Sequence, residues 1–102
     1  MLEYQLRIYH IRPGTMADFI EGWRTHVVPI REQQGFKILH AFEHAPLNEF
    51  VWLLSWEGDE GFAAADAAYA ASPARQELTW DPHLYIQSME LRILKSVPFQ
   101  LS

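Results

Sequence analysis

The stretch Glu49–Glu57, EFVWLLSWE, constrains the fold more than any other in this chain. Read as a strand, it sets Phe50, Trp52, Leu54 and Trp56 on one face and Val51, Leu53 and Ser55 on the other, because successive side chains alternate. A strand that is apolar on both faces needs cover on both sides. With 102 residues, 49% of them hydrophobic, the chain can build one core but not two, so a single domain is expected over residues 1–102. One covering layer must come from its own helices and the other from outside the chain.

The flanking segments supply that layer. LEYQLRIYHI alternates and is rich in aromatic and branched residues, which predicts a strand over Glu3–Ile11 that Arg12-Pro13-Gly14 ends. Thr15 is placed to cap a helix, with Asp18 three residues on as a capping box. Met16, Phe19, Ile20, Trp23, Val27 and Ile30 share one face of that helix, and Asp18, Glu21, Thr25 and Glu32 the opposite one. Pro29 falls on the water-facing side, where solvent compensates for the amide it removes; it either bends the helix around the sheet or opens a second segment. After Gly35, FKILHAFEH reads as a second strand, and Ala45-Pro46-Leu47-Asn48 turns it into the third as a hairpin. Asp59 is placed to cap a further helix with Phe62, Ala65 and Tyr69 inward, and Ser72-Pro73 starts a short helical segment. A last strand runs from about Ile86 to Val97.

The order β-α-β-β-α-β predicts an α+β, ferredoxin-like domain with a four-stranded antiparallel sheet and helices on one face. The other face is too apolar for water, so a second copy of the chain is expected to cover it, giving a homodimer.

Thirteen acidic and eight basic side chains leave a net charge of -5, which argues against a nucleic-acid partner. The chain contains no cysteine, so thiolate chemistry, disulfides and cysteine-based metal sites are excluded. No apolar run is long enough to span a membrane, and MLEYQLR lacks a signal pattern; a cytoplasmic protein is expected. Phosphate-binding glycine loops, G-x-S-x-G, H-E-x-x-H and paired-carboxylate motifs are all missing, which removes the nucleotide-binding and hydrolase classes.

Chemistry is left to His, Tyr, Trp, Arg and carboxylates. His40 and His44 would sit together on a helix but lie about 13 Å apart on the strand that their segment predicts, too far to share a metal; neither a metal nor a cofactor is expected. His26 lies at the edge of the apolar stripe beside Phe19, with Gly22 leaving room next to it. It is either a boundary histidine bonded to backbone or solvent, or a general base or donor at the mouth of a cavity between helix and sheet. Arg7 would be buried in a central strand and needs a partner. A cross-strand ion pair with Glu90 is one solution; the other is a clamp, with Arg7 or Arg92 holding an anionic or polar group of a ligand. Tyr9, Tyr69, Trp23, Trp52, Trp56 and Trp80 serve either as core or as walls that grip a planar apolar molecule, with Tyr9, Trp23 and Trp52 expected to contact it.

YQLRIYHIRPGTMADFIEGWR, Pro29, FVWLLSWEGDEGF and SPARQEL together resemble the NIPSNAP family, of the dimeric α+β barrel group of ferredoxin-like proteins, over nearly the whole chain. Tyr4, Leu6-Arg7, Tyr9, Pro13-Gly14, Trp23 and Pro29 carry the resemblance most specifically; Gln5 and Ala74 depart from the family's usual glutamate and aromatic. The resemblance implies a dimeric barrel with a cavity between helices and sheet. In the wider group such cavities serve cofactor-independent monooxygenases and haem-degrading enzymes, whereas eukaryotic NIPSNAP members are linked to mitochondrial and vesicular interactions. Two functions follow: a small-molecule-binding dimer with monooxygenase-like chemistry on a planar or apolar metabolite, or a non-catalytic protein-interaction module.

Overall fold

A computed structural model describes residues 1–100. Four strands, β1 (Leu2–Ile11), β2 (Lys37–His44), β3 (Glu49–Glu57) and β4 (Ile86–Leu94), form one antiparallel sheet in the order β2-β3-β1-β4. Between β1 and β2 the chain runs through α1 (Met16–Gly22), a π-helical turn (Trp23–Val27) and α2 (Val28–Gln33); between β3 and β4 it forms α3 (Phe62–Ala71) and α4 (Pro73–Gln76). This is the expected ferredoxin-like topology. Its last strand ends at Leu94 rather than Val97.

Alternation along β1 decides which side chains meet the helices. Gln5, Arg7, Tyr9 and Ile11 are buried there, with Phe50, Trp52 and Leu54 of β3 in register beside them. Phe19, Trp23 and Val27 close the layer from the first helical segment, and Phe62, Ala65 and Tyr69 close it from α3. The shortest dimension of the chain, 19 Å, is that of one sheet and one helical layer. Tyr4, Leu6 and Ile8 of β1 and Val51 and Leu53 of β3 occupy the opposite face and are half-buried, and Phe42 on that face is 58% exposed.

Two helix starts differ from expectation. Thr15 makes no side-chain cap; its Oγ1 donates back to the Arg12 carbonyl at 2.8 Å, which closes the Pro13-Gly14 turn instead, and Asp18 is exposed in the first turn. Asp59 does not cap α3, because the chain reaches the helix through Gly61 at φ 86°, two residues further on. The Phe62 amide instead donates to Glu3 Oε1 of β1 at 2.8 Å, so the cap comes from a neighbouring strand and ties α3 to the sheet. Ser72 behaves as read, accepting from the Arg75 amide at 3.3 Å with Pro73 at the first helical position.

Pro29 divides the first helix, and it does so behind a π turn. The Val28 amide reaches back five residues to the Trp23 carbonyl, and Pro29, exposed to solvent, opens α2. A π turn accommodates one extra residue, which sets everything after it back by about 100° relative to an uninterrupted α-helix. Arg31 therefore takes the inward position that continuous periodicity assigns to Ile30. Its exposure is 3%, while Ile30 is only partly buried.

The proposed Arg7–Glu90 pair does not form. In the register of β1 with β4, Arg7 faces Leu91 and Glu90 faces Ile8, so the two charges project from opposite faces of the sheet. Glu90 instead receives His10 Nε2 at 3.1 Å and Arg92 at 3.0 Å on the open face.

Candidate functional site

A cavity of about 190 Å³ lies between the helical layer and the sheet. The sheet contributes Arg7 and Tyr9 from β1 and Trp52 from β3, with Arg7 and Trp52 directly opposed across the ladder. The helices add Phe19, then Trp23 and Val27 from the π turn, Arg31 from α2, and Asp66 and Tyr69 from α3. Arg75 and the exposed His83 stand at its rim.

Arg7 is held by neutral acceptors. Its Nε donates to the Tyr9 hydroxyl at 2.7 Å and its Nη1 to Gln5 Oε1 at 2.7 Å, and among the described residues it makes no ion pair. The Gln5 that departs from the family's usual glutamate is thus the neutral partner of a buried cation. Arg31 does have a counter-ion, donating Nη1 to Asp66 Oδ1 at 2.7 Å, and its guanidinium lies 3.7 Å over the Tyr69 ring and 4.7 Å over Phe36. Burial pulls the Arg31 pKa below its ordinary value and the positive charge of Arg7 lowers it further, against the opposing pull of Asp66. Burial likewise raises the Tyr69 pKa, offset in part by Arg31 and Arg75, so this residue stays a neutral phenol.

Three donors on the cavity-lining side chains find no acceptor in the protein: Trp23 Nε1, Trp52 Nε1 and Arg31 Nε. A buried donor left unmet costs about 1–3 kcal/mol, a cost that an acceptor reaching any of the three would relieve. Chemically, the site combines aromatic walls, three guanidiniums against a single carboxylate, and unfilled N–H groups.

The residues expected to form a site divide into two groups. Arg7, Tyr9, Trp23 and Trp52 line the cavity together. His26 does not: its ring stacks on Trp80, centroids 5.8 Å apart at 23°, and neither of the two lines the cavity. The space left by Gly22 is filled by the same Trp80 ring. Arg92 pairs with Leu6 in the ladder and faces the open side of the sheet, bound to Glu90, away from Arg7. His40 and His44 lie on β2, His44 bonded to Glu49 at 3.0 Å and His40 stacked on Phe42; no group of three metal-ligating side chains occurs among the described residues.

The NIPSNAP sequence profile matches residues 4–100. The chain belongs to the NIPSNAP family. Solved NIPSNAP structures share its fold: an uncharacterised NIPSNAP domain protein from Burkholderia xenovorans at 22% identity, covering 100% of both chains with a TM-score of 0.82, and a NIPSNAP family protein from Agrobacterium tumefaciens at 22% identity, covering 97% and 96% with a TM-score of 0.83. A Nitrosomonas europaea protein described as a candidate antibiotic biosynthesis monooxygenase is similar at 10% identity, covering 94% of this chain and 90% of its own, with a TM-score of 0.71. No curated protein matches the sequence. Among the described residues no helix is long and apolar enough to cross a membrane. In this NIPSNAP chain, Arg7, Tyr9 and Trp23, on which the family resemblance rests, line the cavity, while Pro29 lies outside it.

Arg31, Asp66, Arg75 and His83 were not legible as site residues, whereas Tyr69 read as an aromatic of either core or pocket wall and does line the cavity. The periodicity of the first helix hides Arg31, because the π turn that brings it inward has no sequence rule as regular as the α-helical stripe. A signal did exist at Asp66. It is the only charge in FAAADAAYAA, and Phe62, Asp66 and Tyr69 at i, i+4 and i+7 share the inward face.

Proposed function

We propose that this NIPSNAP protein is a small-molecule-binding homodimer whose ligand occupies the cavity between helices and sheet. The observation that supports this reading is the pairing of an aromatic cavity with buried guanidiniums that exceed their counter-ions. A core built only for stability rarely retains such groups, since a buried arginine costs free energy unless fully paired. Trp23, Trp52 and Tyr9 would grip a planar or apolar body, and Arg7 and Arg31 would orient its polar end. His83 at the rim takes the proton-exchange role that His26, stacked on Trp80, is not placed to fill. Likeness of fold to the Nitrosomonas europaea protein supports monooxygenase-like chemistry as the reaction class.

The apolar open face of the sheet supports the dimer, because a second copy set against it would bury Leu6, Ile8, Val51, Leu53 and Phe42 at once. Sedimentation at micromolar concentration should give a dimer; a monomer alone would remove this part of the reading. A metabolite screen by native mass spectrometry tests the rest. The expected result is saturable one-per-chain binding that Arg7→Gln weakens and His26→Ala leaves unchanged. Equal binding by wild type and Arg7→Gln would place the ligand elsewhere.

A further inference from the structure

We propose that the ligand of this cavity carries a carboxylate, and that Arg31 Nε and the indole N–H groups of Trp23 and Trp52 receive it. The inference rests on the small-molecule reading above and specifies what that reading leaves open. Trp23, Arg31 and Trp52 are each more than nine-tenths buried, line the same cavity, and hold a donor with no acceptor in the protein. The Arg31 guanidinium lies 5.8 Å from the Trp52 ring centroid, and the Trp23 and Trp52 rings are 5.3 Å apart at 79°, so the three side chains that carry the donors belong to one packed group.

Unfilled donors alone would suit any acceptor, a ketone or an amide included. Charge narrows the choice. Three guanidiniums line the cavity, from Arg7, Arg31 and Arg75, against the single carboxylate of Asp66, and that carboxylate is already bonded to Arg31 Nη1. Arg7 spends two of its N–H groups on neutral oxygens. An incoming anion would relieve the repulsion between Arg7 and Arg31, which adds to burial in lowering the Arg31 pKa. A carboxylate suits the site because it only accepts, presents about four lone-pair positions in one plane, and can take several single N–H bonds at once. The remaining lining from Phe19, Val27, Ile86 and Met89 fits an apolar or aromatic body attached to it.

The probes are benzoate and indole-3-carboxylate, each set against its neutral amide, benzamide and indole-3-carboxamide, titrated calorimetrically into the full chain. The acids are expected to bind saturably and at least about tenfold more tightly than the amides, as charge-assisted hydrogen bonds require. Trp52→Phe keeps an aromatic ring and removes one donor; it should weaken the acids by about fivefold and the amides by less, since a neutral oxygen loses a weaker bond than a charged one. Trp23→Phe repeats that comparison should Trp52→Phe fail to fold. Equal affinity for acids and amides would overturn the carboxylate assignment while leaving the cavity as a ligand site. Absence of saturable binding by all four compounds would overturn both.

Discussion

Arg31 and Asp66 are the pair on which the interior depends most. Among the described residues Asp66 is the only carboxylate that lines the cavity with Arg7 and Arg31, and its removal would leave Arg31 buried against Arg7 with no counter-charge. Asp66→Asn should therefore destabilise the protein by about 1–3 kcal/mol in urea denaturation, less than a fully buried pair would give because Asp66 is partly exposed. A loss under about 0.5 kcal/mol would mean that Arg31 is satisfied otherwise. Arg7 shows how far single residues could be read in advance. Its burial and need for a partner followed from its place in an alternating strand, but Glu90 as the partner required knowing the register of β1 on β4, and one step in register moves a side chain to the other face. Neutral Gln5 and Tyr9, two residues along the same strand, fill that role.

At the scale of elements, the π turn is the feature that makes the site. The strands and helices were legible because hydrophobic periodicity reports burial directly, whereas the turn was not, since it interrupts that periodicity by one residue between Trp23 and Val27. Its neighbour Gly22 has a task of its own, because a Cβ there would overlap the Trp80 ring that packs on Phe19 and stacks on His26 and Tyr85. Gly22→Ala should displace Trp80, shift its fluorescence to the red and cost about 1–3 kcal/mol; an unchanged emission maximum would show that the ring is not held there. On the other side of the sheet a row of side chains spans all four strands. His44 of β2 meets Glu49 of β3 at 3.0 Å, Glu49 meets His10 of β1 at 3.5 Å, and His10 meets Glu90 of β4 at 3.1 Å. The hydrogen bond from His10, aided by Arg92, holds the Glu90 pKa below its ordinary value of 4.5. A depressed carboxylate contributes stability that is present above its unfolded value and is lost as pH falls through the folded one. Stability should thus decline on acidification below about pH 4.5, and Glu90→Gln should flatten that decline in thermal melts. A decline of equal slope in the variant would assign it to other carboxylates.

For the whole molecule, the two faces of one sheet divide the work. The helical side encloses a cavity with surplus positive charge in a chain whose net charge is -5, and the open side is apolar at its centre and ionic along one row. That division was visible in outline from EFVWLLSWE, whose two faces both asked for cover. What the pattern could not supply was the contents of the cavity, because buried aromatics read alike whether they fill a core or wall a pocket. The most direct test of the ligand-binding claim is a heteronuclear spectrum of the four indole N–H groups, assigned by single Trp→Phe variants, during titration with benzoate. Saturable movement of the Trp23 and Trp52 resonances, with Trp56 and Trp80 fixed, is the predicted result; no saturable movement at Trp23 or Trp52, with benzoate or with benzamide, would contradict it.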